Sequence, residues 1–482
     1  MLPAEESIRM RLHNAARSVT PGLLLFLVMA PASVGRAADP EISLRDAVRE
    51  ALASNLDLLA QGESLAAARE EIGLARSKLL PQLGVGARAQ VQDNDRSDSE
   101  RGNNKSRSEM LAGGVTQALY DEESWAGFEI QKHVYESQAR EFEAFRLGVI
   151  EEAAGAFLKL DLAGRVLEIQ ERNRGFTQEN LETSRSRIAA GWSSDREILR
   201  WQTQLAGNDR DVRQARVDTL ESRFALNRLR NRQPESPASV VAATLAEYGF
   251  VYGRDAIAEA IVEPDQERRM RDFLVGAGLR RSPDLRALDA SIAAAERQLT
   301  SKRRAFWVPS LNLTAGIDHL TSSGSSDFEQ TEWVVKGALA FPVFQGGAKF
   351  AGRDQALSAL ASLRTQRRAA AMSLEESIRS AFAQASGSFE IVGFAKQQVA
   401  AARRNFELVE ASYTLGVASI LDLLDAQSQL LTAELGLADA TYGFLEDLIA
   451  AERELSYYAF LEAPAEVDAL LIQLEHALAL KP

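Results

Sequence analysis

The sequence predicts a mainly α-helical chain that also contributes strands to a transmembrane β-barrel, and three observations lead to this fold class. Residues 121–190 and the stretch on either side of Gly416 carry helical periodicity without a proline. Four shorter segments alternate apolar and polar side chains with the period of a strand. The second half of the chain repeats the pattern of the first, which indicates an internal duplication.

The composition supports this prediction and excludes several functions. A chain with 46% hydrophobic residues, 26% charged residues and 13 prolines is typical of long helices and coiled coils. The formal net charge of −13 argues against a nucleic-acid partner, because such binding depends on cationic contacts. The absence of cysteine excludes disulfides, thiolate metal sites and a lipidated N-terminal cysteine. His133, His319 and His476 lack the spacing of metal ligands, so we predict no catalytic residue, no metal site and no cofactor.

Residues 1–38 are predicted to be a signal peptide. Three arginines precede the apolar run 23–30, and Gly35 and Ala37 offer the small residues that a signal peptidase requires. The alternative, a membrane anchor, is disfavoured because the run is about half the ~20 residues that a spanning helix needs. We therefore expect export from the cytoplasm.

The first structural repeat is predicted to cover residues 39–235. It opens with an amphipathic helix over 42–79, capped at Ser43, and continues with barrel strands at 82–92 and 108–119 around a polar loop. A helix over 121–190 follows, with coiled-coil spacing of its apolar residues. Gly191 ends that helix, and a returning helix to residue 230 makes a long hairpin with its tip at 191.

The second structural repeat is predicted to cover residues 283–461. Residues 64–68 recur as 291–295, and residues 80–83 recur as 308–311. We expect its barrel strands at 310–320 and 331–341 and its hairpin tip at Gly416. Two segments do not follow the repeat: the inter-repeat segment 236–282 and the C-terminal tail 462–482. We predict that the inter-repeat segment lies at the equator of the helical body, and we assign no chemistry to either segment.

The predicted elements require more than one chain. Strands of about ten residues are long enough to cross a bilayer when tilted. Four strands cannot close a barrel, and lipid does not tolerate open strand edges, so several copies must combine. Three copies would give twelve strands, although the sequence alone does not fix that number. Each long helix, ~105 Å at 1.5 Å per residue, needs two shorter helices end to end as partners, which predicts a helical barrel standing on the β-barrel.

These residues resemble the TolC family of outer-membrane efflux proteins over nearly all of 42–460. The most specific match is Tyr413-Thr-Leu-Gly416 followed by Leu421-Asp-Leu-Leu-Asp-Ala426, and the Phe341-Pro-Val-Phe-Gln-Gly-Gly347 stretch fits as well. The resemblance implies a homotrimer with a twelve-stranded barrel in outer-membrane lipid, continued by an α-helical tunnel in the periplasm. It also implies a periplasmic adaptor and an inner-membrane transporter as partners, for which the chain would be the exit duct of a tripartite efflux pump.

The resemblance also assigns roles to residues near the tips. Asp422 and Asp425, three residues apart on one helix face, match the family's inward pore gate. Glu197 and Tyr413 match positions that link the gate, whereas Ala418 stands where the best-known member has a basic residue. We expect the tips to contact the adaptor; their residues are Gly191, Trp192, Leu415, Gly416 and Val417. Trp192 is unusually bulky for that place.

Three alternatives stay open from the sequence. Asp422 and Asp425 can simply belong to a solvated helix face. The chain can be the outer-membrane component of a type I protein secretion system, since no residue separates that role from small-molecule efflux. It can also be a soluble periplasmic coiled-coil scaffold, although the period-two strands oppose this interpretation.

Overall fold

The computed structural model describes residues 41–91, 107–189, 195–244, 248, 252, 263–323 and 328–478. The predicted signal peptide lies outside the described residues. In chain order the elements are β1 (Glu41–Ile42), α1 (Leu44–Ser54), α2 (Leu56–Ser77), β2 (Gln82–Val91), β3 (Arg107–Tyr120), α3 (Glu122–Ala189), α4 (Asp195–Leu229), β4 (Ser239–Val240), α5 (Pro264–Arg281), α6 (Pro283–Arg304), β5 (Ser310–Ser323), β6 (Phe328–Ala340), α7 (Ala348–Thr414), α8 (Ile420–Glu454), a 3₁₀ turn (Ala459–Leu461) and α9 (Pro464–Ala477).

The order of elements is the same in both halves: two strands, one long helix and a shorter returning helix. The strands occupy the four segments with period-two alternation, and β5 and β6 extend the pairing further into the polar loop than the alternation indicated. The long helices α3 and α7 contain 68 and 67 residues. Within the described part of the chain, no helix has both the length and the apolar character needed to cross a membrane.

The single helix predicted over 42–79 is wrong, because the structure divides it at Asn55. The backbone of Asn55 is extended (φ −61°, ψ 124°), so α1 ends there and α2 begins. Its side-chain Oδ1 accepts a hydrogen bond from Leu58 N at 2.9 Å, and its Nδ2 donates to Leu229 O at 3.3 Å. Asn55 therefore caps one helix while fastening the chain to the end of α4. The predicted cap at Ser43 is confirmed, since its Oγ accepts from Asp46 N.

Each long helix packs against the partners that the helix lengths predicted and also against one further short helix, α6 for α3 and α5 for α7. Along α3, the returning helix α4 covers one part, and α1, α2 and α6 cover the rest. Along α7, the returning helix α8 covers one part, and α5 and α6 cover the rest. Helix α8 also packs against α3, which joins the two hairpins laterally. The long helices therefore act as the two rods around which the other helices are arranged.

The strands form one antiparallel sheet in the order β2-β3-β5-β6. Cross-strand partners share a face, so the register gives rows such as Leu83, Val115, Ala315 and Val335. One face is apolar and exposed; its large side chains are Leu83, Val85, Leu111, Ile317, Trp333, Val335 and Leu339. Among the described residues, β2 and β6 each have a neighbour on one side only.

The main core lies where the middle of the rods meets the inter-repeat segment and the C-terminal helix. Phe157, Phe382 and Phe444 are fully buried there. The backbone N of Ala243 donates to the buried Asp161 carboxylate at 2.7 Å, which fixes the inter-repeat segment to α3. Residues of α1, α5, α8 and α9 contribute to the same cluster.

Arg45 ties the beginning of the described chain to its end. Its Nε donates to Phe460 O at 2.7 Å, and its Nη2 donates to Glu462 O at 3.3 Å. These two carbonyl groups lie in the turn between α8 and α9. The guanidinium group therefore connects the first helix to the segment that follows the last long hairpin.

Candidate functional site

The turn between α7 and α8 is built on a glycine in the left-handed region. Gly416 has φ +77°, a conformation that costs a residue with a Cβ about 1–2 kcal/mol. Gly416 N donates to Tyr413 O at 3.0 Å, and Val417 N donates to Ser412 O at 2.9 Å, which is the hydrogen-bond pattern of a Schellman cap. The side chains of Leu415 and Val417 on either side are 79% and 82% exposed. The turn therefore presents two apolar side chains to solvent.

Helix α8 starts with a reciprocal cap in which Asp422 takes part. Ser419 Oγ accepts a hydrogen bond from Asp422 N at 3.3 Å, and Asp422 Oδ2 accepts from Ser419 N at 2.9 Å. The hydrogen bonds from Ser419 lower the pKa of Asp422, because they stabilise the ionised carboxylate. This capping role was missed from the sequence, although its signal was present: a serine, Ser419, followed by an acid three residues later.

Asp425 lies one turn further along α8, on the same exposed flank as Asp422. Its Oδ2 accepts a hydrogen bond from Gln429 Nε2 at 2.7 Å. Both carboxylates are exposed in the single chain. The arrangement can attract cations, since it places two negative charges within one helical turn.

Tyr413 and Glu197 are brought together across the two hairpins. The Tyr413 hydroxyl donates to Glu197 Oε1, and the Ser184 hydroxyl donates to the same oxygen at 3.1 Å. Burial raises the pKa of Tyr413, and the hydrogen bond to Glu197 raises it further. The phenol therefore stays protonated and remains a donor at neutral pH. This contact joins the end of α7 to the start of α4.

An apolar cluster surrounds this contact and contains residues that sequence reasoning missed. Trp201 is completely buried, and Leu181 and Leu423 pack with it. The rings of Phe176 and Phe406 meet edge to face with centroids 5.0 Å apart, which adds a contact between α3 and α7. Trp201 lies four residues after Glu197, so helical spacing alone would have placed it on the same face.

The remaining predicted residues fall into two groups. Gly191 and Trp192 of the first tip lie outside the described residues. Ala418 is half-buried against the apolar cluster, so a small apolar side chain fills the position that is basic in the best-known member of the family.

Across the described ranges, no group of three or more His, Cys, Asp or Glu side chains is arranged to hold a metal ion.

Comparison with known proteins finds a matching family model, two similar sequences and one similar solved structure. A family model described as "Outer membrane efflux protein" matches residues 47–232 and 274–452. The outer membrane protein TolC of Salmonella enteritidis is 26% identical over 415 residues, covering 84% of this chain and 79% of TolC. The pyoverdine export outer membrane protein OpmQ of Pseudomonas aeruginosa is 24% identical over 404 residues, covering 80% and 76% of the two chains. The solved structure of the Campylobacter jejuni outer membrane channel CmeC shares the fold, with a TM-score of 0.70 at 15% identity over 91% of this chain and 90% of CmeC.

Proposed function

The chain belongs to the outer membrane efflux protein family, and we propose that it is the outer membrane exit duct of a tripartite efflux pump. Its location is the outer membrane, like that of its relatives. In this proposal three copies form one continuous channel, with a β-barrel in the membrane and a helical tunnel in the periplasm. The duct works with a periplasmic adaptor and an inner-membrane transporter.

The exposed apolar face of the sheet is the observation that carries the proposal. Strands of 10 to 14 residues suit the roughly 9–11 residues that a tilted strand needs to cross a bilayer. Large side chains such as Val85 and Trp333 cover one face and are exposed in the single chain. Lipid would bury that face, and pairing β2 of one copy with β6 of the next would satisfy both open edges. Three copies would then give a twelve-stranded barrel.

The two carboxylates on α8 support a gate at the far end of the tunnel. With three copies, Asp422 and Asp425 supply six negative charges around a narrow bore. Such a ring attracts cations and repels anions. The Tyr413–Glu197 hydrogen bond would hold the second hairpin against the first, in an arrangement that we define as closed.

The apolar turn residues support docking of an adaptor at the tips. Leu415, Val417 and Leu421 are exposed and lie together at the end of the second hairpin. A hydrophobic tip at the end of a long helical pair suits insertion into a complementary apolar groove of another protein. In this proposal Gly191 and Trp192 form the corresponding contact of the first hairpin.

The cargo is proposed to be small molecules rather than a secreted protein. The relative OpmQ is named for the export of pyoverdine and matches most of this chain, which favours small-molecule export. A type I secretion role uses the same kind of duct with a different inner-membrane partner. A soluble periplasmic scaffold is disfavoured, because such a protein would leave a large apolar sheet face in water.

Cross-linking between strand edges tests the closed barrel. The natural chain has no cysteine, so introduced cysteines are the only thiols present. We expect Leu83→Cys on β2, combined in turn with Val335→Cys and Leu339→Cys on β6, to give covalent trimers with a flexible bismaleimide. The control pair is Val115→Cys with Ala315→Cys, which are Cα partners within one chain and should cross-link without changing the mass.

Conductance of the same purified protein tests the function. We expect the parent protein to open ion-conducting channels in planar lipid bilayers. A stable, folded monomer that gives no intermolecular cross-link and no conductance would contradict the proposal.

A further inference from the structure

A buried polar network joins the two hairpins beyond the Tyr413–Glu197 contact. Its members are Asn173 and Thr177 on α3, Asn208 on α4 and Gln427 on α8, with exposures of 9%, 0%, 2% and 6%. Gln427 is two residues from Asp425, but it faces the first hairpin whereas Asp425 is exposed. On α4, Asn208 lies 11 residues beyond Glu197, which is about 16 Å along the helix. The network is therefore a second, separate level of contact.

Gln427 is the only connection that the second hairpin makes to this network among the described hydrogen bonds. Its Nε2 donates to Asn173 Oδ1 at 2.5 Å and to Thr177 Oγ1 at 2.9 Å. Asn208 Nδ2 donates to the same Thr177 hydroxyl oxygen at 2.8 Å. The Thr177 hydroxyl in turn donates to Asn173 O at 3.1 Å. One side chain of α8 thus binds two residues of α3, and one of these, Thr177, is also bound by Asn208 of α4.

The network is only partly satisfied, and the deficit lies where the hairpins meet. Among the described residues, neither Asn173 Nδ2 nor Gln427 Oε1 has a hydrogen-bond partner, although both atoms are buried. A buried polar atom without a partner destabilises the arrangement that buries it. Water would reach both atoms if α8 moved away from α3, so opening would recover hydrogen bonds that the closed arrangement lacks.

We propose that Gln427 is a gate-positioning residue whose amide holds α8 against the first hairpin and whose unpaired oxygen lowers the cost of releasing it. The inference rests on the proposed channel function and adds a second control point to it. Tyr413 binds a carboxylate, and such charge-assisted bonds are roughly twice as strong as neutral ones. The neutral amide contact of Gln427 is weaker and reversible, so it should break more easily than the Tyr413–Glu197 contact.

Substitution of Gln427 by glutamate should make the gate respond to pH. Protonated glutamic acid can still donate to the Asn173 amide, whereas the ionised carboxylate has no donor and would be a charge buried among neutral groups. Charged side chains surround the network on all the helices that pack there, and those next to its members are exposed or half-buried; they include Arg172, Arg174, Asp209, Arg403, Asp425 and Glu434. We expect the open probability of Gln427→Glu in planar bilayers to be at least about tenfold higher at pH 8 than at pH 5, since one pKa unit of differential interaction is tenfold.

The matched control for this variant is Gln202→Glu. Gln202 is exposed on α4, at the same end of the hairpin. The control should follow the pH profile of the parent protein, in which Asp422 and Asp425 are present as well. A Gln427→Glu profile that coincides with those of the parent and the control would overturn the inference.

A second pair of variants covers the case in which Gln427→Glu does not fold. Thr177→Val removes the hydroxyl that accepts from both Gln427 and Asn208 while keeping the shape of the side chain. Thr183→Val is its control, because Thr183 is exposed on the same helix and donates to Glu179 O of its own turn. We expect Thr177→Val to raise the open probability severalfold and Thr183→Val to leave it unchanged.

The outcomes separate this inference from the proposed function. A parent protein that makes no channels would overturn the proposed function and the inference with it. A parent that conducts, with Thr177→Val and Gln427→Glu both behaving like their controls, would overturn the inference alone.

Discussion

The carboxylate of Glu197 accepts hydrogen bonds from two neutral hydroxyl groups, those of Ser184 and Tyr413. Burial and the hydrogen bond to Glu197 raise the pKa of Tyr413. The contribution of the protonated phenol to the free energy of unfolding is therefore complete at any pH below 10, the usual pKa of tyrosine. That contribution is lost only as the pH rises through the higher folded-state pKa. The contact therefore holds across the neutral range without a basic residue at position 418.

The first prediction concerns this contact. Tyr413→Phe should raise the open probability of the purified channel, and Glu197→Gln should have a similar effect, because each removes a charge-assisted bond of roughly 1.5–3 kcal/mol. The double variant should add little to either single variant, since one bond is lost in all three. Single-channel recordings test this, and additive effects would mean that the two side chains act independently.

A second prediction separates the charge of Asp422 from its role as a cap. Asp422→Asn keeps an oxygen that can accept from Ser419 N, whereas Asp422→Ala removes that acceptor and with it one of the two hydrogen bonds of the reciprocal cap. Combined with Asp425→Asn, both changes remove the proposed carboxylate ring. We expect equal loss of channel block by multivalent cations in the two double variants, but a lower melting temperature only with alanine. Unchanged block would exclude these carboxylates as the pore ring.

A third prediction uses Glu452, which is buried in the main core with 2% of its surface exposed. Burial raises its pKa well above the usual value of 4.5, and Ala459 N donating to Oε1 offsets only part of that effect. The parent protein should therefore lose stability as the pH rises from 4.5 through the folded-state pKa, by about 1.4 kcal/mol for each unit of the rise in pKa.

Glu452→Gln removes the ionisation and keeps the acceptor oxygen. Its melting temperature should exceed that of the parent by more at pH 8 than at pH 4.5. The exposed Glu70→Gln is a suitable control and should show no such trend. A difference that is the same at both pH values would show that the pKa of Glu452 is the same in the folded and unfolded protein, which contradicts the prediction.

Contacts between particular residues were predictable from the sequence where the spacing of residues from a turn indicated them. The positions of Gly416, Tyr413 and Glu197 relative to the two turns led to the side chains that the structure brings together. Trp201 and the polar network around Gln427 were not found, because a tryptophan or an amide in a helix gives no sign of which partner it meets. Their environment depends on how α3, α4 and α8 pack, which is a tertiary property.

At the scale of elements, the close crossing of α5 with α7 and the end of α8 depends on one glycine. A Cβ at Gly278 would lie 2.5 Å from Ile378 Cδ1 and 3.5 Å from Glu454 O. Ile378 is itself fully buried, so it has little room to move. Gly276, two residues earlier, would meet only the flexible guanidinium group of Arg280.

This contrast gives a fourth prediction. Gly276→Ala should be neutral or stabilising by up to about 1 kcal/mol, because alanine favours a helix interior over glycine. Gly278→Ala gains the same propensity but must displace Ile378, an overpacking that costs typically ~1–3 kcal/mol. Thermal unfolding in detergent should therefore rank Gly276→Ala above the parent or equal to it and Gly278→Ala below. Equal behaviour of the two variants would mean that the crossing adjusts freely.

Secondary structure was predictable where a helical or period-two pattern of apolar residues continued over a long segment, as in α3, α7 and the four sheet strands. The break at Asn55 was not, because the amphipathic pattern continues on both sides of it and one asparagine within a helix is common. Asn55 also donates to Leu229 O, 174 positions away, and no local pattern shows that contact.

At the scale of the molecule, α8 meets the first hairpin at successive levels. The Gln427 network lies further from the tip than the Tyr413–Glu197 contact. Glu434, seven residues after Gln427, forms ion pairs with Arg172 on α3 and Arg403 on α7. Both arginines are about half exposed although Glu434 is only 17% exposed, so salt should weaken these pairs more than the buried amide contact. The duplication was predictable from the sequence, and the order of elements in the two halves agrees with it. The combination of several copies stays a prediction.

The attachment of Arg45 to Phe460 and Glu462 also sets an order of events during biogenesis. Synthesis delivers α1 early and these two carbonyl groups more than 400 residues later. Contacts between such distant segments form slowly, because the intervening chain must first be brought together. Until then Leu44 and Val48 lack those of their core neighbours that α8 and α9 supply. The attachment of the first helix is thus completed only after the last long hairpin has been made.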